Sequence, residues 1–155
     1  MLRSLIGKFE SPQLATLRSI SLFSEIASGE LRTILGLLHH RTYLKDEVIF
    51  DEGEEGQAIY FILRGKVLIC RQGEPVEGMI AELGVGQCFG EMALLDSAPR
   101  MAQVRATEAC SLDVLFRDDF LRLIQTHSHI ASKLSLELAR MMGERLRQTV
   151  NSFVL

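Results

Sequence analysis

The sequence predicts a mainly β domain, a sandwich or barrel, with helices packed at both ends. Three observations carry that expectation. Short runs of β-formers separated by glycine-marked turns recur from residue 41 to residue 116. No strand-helix-strand alternation interrupts them, which argues against a parallel sheet. On either side the apolar spacing changes from two to between three and four, the period of a helix. One domain over 1–155 is expected, with N-terminal helices in 1–40, the β region in 41–116 and C-terminal helices in 117–150.

In chain order, Leu2, Leu5, Ile6 and Phe9, then Leu14, Leu17 and Ile20, suggest two short amphipathic helices, the second started at Ser11-Pro12. Ser28-Gly29-Glu30 opens a stronger one, whose face is Leu31, Ile34, Leu35 and Leu38, ending at His39-His40. Strands follow at 47–51, 58–63 and 66–70, the last two joined by a hairpin at Arg64-Gly65. A turn at Gly73-Glu74-Pro75 leads to a strand at 79–83, and two more are expected at 101–107 and 110–116. From Arg117 the pattern is helical, with Phe120, Leu121 and Ile124 on one face and Asp118-Asp119 where a helix dipole favours acids. After a break near 126–129, Ile130, Leu134, Leu138, Met141, Met142, Leu146 and Val150 form a stripe about six turns long.

Composition narrows the function classes. With 47% hydrophobic and 24% charged residues and a net charge of −3, the chain has the make-up of a soluble protein without the basic footprint of a general nucleic-acid binder. No apolar run approaches a membrane span, and the first ten residues lack a signal-peptide pattern, so a cytoplasmic location is expected. Cys70, Cys88 and Cys110 are odd in number and widely spaced, which suits buried thiols. The His39-His40 and His127/His129 pairs fall at predicted helix ends, so no metal site is expected. No triad or carboxylate pair converges to suggest an enzyme.

The segment 89–106 carries the chemistry. Gly90 lets backbone approach a ligand closely, and the N–H groups opening the following turn at Glu91 suit an anion. Arg100 adds a planar fork of donors for a phosphate. Glu91 would be repelled by that phosphate unless it binds hydroxyls, so a phosphate beside a sugar hydroxyl satisfies both residues.

The order of helix, turn and strands with Gly53 and Gly65, then Phe-Gly-Glu-Met-Ala-Leu-Leu at 89–95, Pro99-Arg100 and Val-Arg-Ala at 104–106, resembles the cyclic nucleotide-binding domain of catabolite-activator-type regulators, cyclic-nucleotide-dependent kinases and gated channels. The resemblance spans roughly 22–146. It implies an eight-stranded β jelly-roll with N-terminal helices and a C-terminal lid or dimer helix. It further implies that Arg100 binds the cyclic phosphate and Glu91 the ribose 2′-hydroxyl, while backbone amides of Gly90, Met92, Ala93 and Ala102 complete the cradle. By the same analogy Met141, Met142 and Arg145 are candidate lid residues over the base. The position after the arginine is commonly small or threonine in the family; here it is Met101, which removes a hydroxyl that could bind guanine and tilts the expectation toward cAMP over cGMP.

The expected function is therefore a regulatory sensor domain that binds a cyclic nucleotide as ligand, uses no cofactor, and responds through its C-terminal helix. Because Met101 could also crowd the pocket, a degenerate, ligand-free domain serving as an interaction or dimerisation scaffold is the alternative. Only five residues follow Val150, so the output is expected to come from another part of a longer protein or through the 130–150 stripe itself, with a homodimer as the favoured assembly.

Overall fold

The computed structural model describes residues 11–153. The helix expected around Leu2, Leu5, Ile6 and Phe9 lies outside the described residues. Helix α1 (Pro12–Arg18) starts as its sequence directs: the Leu14 N–H donates to the Ser11 hydroxyl and Pro12 occupies the first turn, where a missing N–H costs nothing. It ends before Ile20, and a 3-10 turn, Ser21–Phe23, leads to α2 (Ser28–Leu35).

Eight strands follow: β1 (His39–Tyr43), β2 (Val48–Phe50), β3 (Ala58–Arg64), β4 (Val67–Arg71), β5 (Glu74–Leu83), β6 (Cys88–Phe89), β7 (Gln103–Ala106) and β8 (Cys110–Phe116). They form two four-stranded antiparallel sheets, ordered β1-β8-β3-β6 and β2-β7-β4-β5. This is the jelly-roll that the resemblance implied, with flanking helices.

Several local expectations need correction. His39 and His40 open strand β1 instead of ending a helix, which moves the β region two residues earlier. Their polar side chains gave no strand signal, yet His40 is held in register by β8, its Nδ1 lying 2.9 Å from Asp113 Oδ1. Arg64-Gly65 is not a hairpin, because β3 and β4 belong to different sheets and the chain crosses between them there. The true hairpin is β4–β5, whose register pairs Arg71 with Glu74 and leaves Gln72-Gly73 as the two-residue loop, so Glu74 and Pro75 already belong to β5. Strand β7 begins at Gln103, leaving Met101 and Ala102 in the loop before it.

Strand β3 reads as a continuous apolar run because both of its faces are covered. Ile59 and Phe61 pack with Leu17, Ile34 and Leu115 under the helices, while Ile62 lies between the sheets with Phe50, Val67, Phe89 and Leu112. Helices α3 (Arg117–Thr126) and α4 (Ser128–Phe153) close the helical side, separated by His127 in a non-helical conformation. The stripe on α4 divides. Ile130, Leu134 and Leu138 are buried in the core, whereas Leu146, Val150 and Phe153 are 64%, 51% and 83% exposed. Among the described residues no helix is long and apolar enough to cross a membrane.

Candidate ligand site

Phe89 ends β6 inside the core and delivers the chain to Gly90, whose φ of 77° is left-handed. A 3-10 turn, Glu91–Leu94, follows directly. It is closed by the Ala93 N–H donating to the Gly90 carbonyl at 3.1 Å and by Leu95 and Asp96 N–H groups donating to the Met92 carbonyl. Ala93 and Leu94 are buried and anchor the turn, while Met92 is exposed at its outer side.

Arg100 is positioned by the Gly53-marked turn. Its N–H donates to the Glu54 carbonyl at 2.7 Å, and its carbonyl accepts from the Gly53 N–H at 2.9 Å. Pro99 bridges Glu55 in the same place. The guanidinium then reaches inward, where Nη1 donates to the Gly90 carbonyl at 3.2 Å and Nη2 to the Ala58 carbonyl at 2.9 Å. Its central carbon lies 4.0 Å from the centroid of the Phe50 ring, a cation–π contact. Phe50 belongs in turn to a cluster with Tyr60 and Phe89, the last two stacked 5.0 Å apart. Two glycines make room for this cation. A Cβ on Gly90 would come within 2.7 Å of Arg100 Nη1, and one on Gly56 within 3.1 Å of its Cζ.

Burial lowers the Arg100 pKa from its ordinary value, and neighbouring Tyr60, Glu54 and Glu91 oppose the shift. An arginine nonetheless stays charged. Among the described residues no carboxylate forms an ion pair with it, so its charge is met by two carbonyls and an aromatic face.

These groups wall an open cavity of about 180 Å³. Gly90, Glu91, Met92, Ala93, Arg100, Met101 and Ala102 all line it, so the structure gathers the seven residues named from the sequence around one space. Phe50, Ile69, Phe89 and Val104 supply an apolar floor, to which Phe50 and Ile69 come from strands outside the 89–106 segment. Met101 is 69% exposed at the mouth.

The three lid candidates separate. Arg145 lines the cavity: Nη1 donates to Glu91 Oε1 at 2.6 Å and Nη2 to the Cys88 carbonyl at 2.7 Å. Met141 and Met142 pack against the helical core instead, and the Cys88 thiol contacts the Met141 sulfur at 3.3 Å. Burial pushes that thiol up to about 12, so it is a neutral packing group. Among the described residues no group of three or more His, Cys, Asp or Glu side chains could hold a metal ion.

The sequence profile described as the cyclic nucleotide-binding domain matches residues 40–127. The chain is similar to the cyclic AMP receptor protein of Thermus thermophilus, with 39% identity over 126 residues, 79% of this chain and 57% of that protein. It is similar to the cAMP-dependent protein kinase regulatory subunit of Debaryomyces hansenii, with 32% identity over 108 residues, 70% of this chain and 23% of that one. A solved cyclic nucleotide-binding domain from Methylobacillus flagellatus matches with a TM-score of 0.78 and 25% identity, covering 91% of this chain and 80% of its own. The chain thus spans little more than half of the first relative and under a quarter of the second. Residues 90–102 fall inside the matched span, whereas Met141, Met142 and Arg145 fall beyond it.

Proposed function

Since this chain belongs to the cyclic nucleotide-binding domain family, we propose that it is a regulatory sensor domain that binds a cyclic nucleotide, cAMP in preference to cGMP, in the cavity walled by Arg100 and Glu91. The observation that carries this reading is Arg100 itself: a half-buried guanidinium at a cavity wall, approached by glycine backbone and without a carboxylate partner among the described residues. An anion entering there gains a charge-assisted fork that two neutral carbonyls do not replace. Its relatives include a cyclic AMP receptor protein and a cAMP-dependent kinase regulatory subunit, which favours a cyclic nucleotide as that anion. Met101 offers no hydroxyl to guanine, which favours adenine. The nucleotide acts as a ligand, with no cofactor and no chemistry performed on it.

The Arg145–Glu91 ion pair supplies the response. It occupies Glu91 Oε1, and the carboxylate has a second oxygen with which to accept a ribose hydroxyl. A ligand that reorients Glu91 therefore changes how α4 is held. It moves the helix only by its differential affinity for the two arrangements.

Titration calorimetry on the whole chain tests the proposal. Both nucleotides should bind, cAMP more tightly, and Arg100→Ala should cost about 2–5 kcal/mol of binding. Absence of heat with either nucleotide from a folded protein would favour the second reading, a ligand-free interaction scaffold. The Arg145–Glu91 pair supports that reading to the extent that it satisfies the acidic residue without any ligand.

A further inference from the structure

The turn that lines the cavity has a second end, and one side chain holds it. Arg117, the first residue of α3, directs Nη1 at three carbonyls: Asp96 at 2.8 Å, Gly56 at 3.2 Å and Ala93 at 3.4 Å. Its backbone N–H donates to the Gln57 carbonyl at 2.8 Å. Ala93 and Asp96 belong to the C-terminal side of the 3-10 turn, where carbonyls lack intrahelical partners and a cation is favoured. Gly56 is the residue whose missing Cβ leaves space for Arg100 and Ala93. Arg117 thus ties together the two backbone segments that flank the Arg100 guanidinium.

A cation in the first turn of α3 opposes that helix's own dipole, which Asp118 and Asp119 complement. The carbonyl contacts offset this cost, and they point at the cavity wall. Arg117 does not line the cavity, so it acts through the turn and not on the ligand.

On the reading that the cavity takes a cyclic nucleotide, we propose that Arg117 is a positioning residue that orders the 91–96 turn for the ligand and fastens it to α3. The ammonium of a lysine ends one bond short of the Arg117 Nη1 position, so lysine should restore the charge but only part of the order.

The experiment uses the full chain and its Arg117→Ala and Arg117→Lys variants, with amide hydrogen exchange on ligand-free protein and calorimetry with cAMP. In Arg117→Ala, exchange across residues 92–98 should rise at least about tenfold while β3, β8 and α2 keep their protection. Affinity for cAMP should fall by about tenfold, with Arg117→Lys intermediate in both measurements. Unchanged exchange at 92–98, acceleration spread evenly over the chain, or unaltered affinity in a nucleotide-binding protein would each overturn the proposal. If the unmodified chain binds neither nucleotide, the sensor reading fails, and the exchange comparison alone still decides whether Arg117 orders the turn.

Discussion

Gly90 shows how much of the site depends on one missing side chain. At φ 77° its backbone is strained for any L residue, and a Cβ there would also meet the Ala58 carbonyl at 3.0 Å and the Arg100 guanidinium at 2.7 Å. Gly90→Ala is expected to lower stability by about 1–3 kcal/mol in urea denaturation and, by displacing Arg100, to weaken anion binding as well. Gly90, Glu91 and Arg100 were readable in the sequence because their chemistry is local and unusual for a strand-rich segment. Arg117 was not, since a basic residue between Phe116 and Asp118 gives no sign that it meets carbonyls some twenty and sixty positions earlier. Nor does spacing reveal that Arg145 reaches Glu91 across 54 residues.

Among the elements, α4 is the one with two environments. Its first half is fastened to α2, where Glu30 Oε1 accepts from Lys133 at 2.6 Å and from the Ala27 N–H at 3.2 Å. The Lys133 hydrogen bond lowers the Glu30 pKa, partly opposed by burial. A carboxylate whose folded pKa lies below its unfolded value adds stability that is full above the ordinary carboxylate range and is lost as pH falls through the lowered value. Glu30→Gln should therefore destabilise the fold at pH 7, by about 1–2 kcal/mol for a charge-assisted bond, and the difference should shrink toward zero at acid pH. Denaturant midpoints of both proteins across pH 3–7 check this. The β elements show why boundaries were misread: His39 and His40 pair with Val114 and Asp113, so β1 is a strand by tertiary pairing and not by its own composition.

At the scale of the whole molecule, α4 leaves part of its apolar face uncovered. Leu146, Val150 and Phe153 are exposed on one long helix, a surface suited to a second copy of the same helix. The dimer expected from the sequence would bury that half while the first half stays in the core. Sedimentation should show a dimer for the chain and a monomer for Leu146→Asp, with stability altered by less than about 0.5 kcal/mol because the position is exposed in the single chain. A monomer in both would restrict α4 to its roles in the core and at Glu91.

The amino-acid sequence by itself determined the fold class and marked seven of the residues that line the cavity. Alternating and continuous apolar runs mark most of the strands, and a glycine, an acid and an arginine in one short stretch mark residues that line the cavity. Tertiary structure alone decided which strands are neighbours. Arg64-Gly65 looks like a hairpin until β3 and β4 are found in opposite sheets. It also separated Arg145, which faces the cavity, from Met141 and Met142, which face the core. The reason is physical: local pattern records what each residue prefers to bury or bond, whereas long-range pairing depends on how two sheets and their flanking helices share one interior.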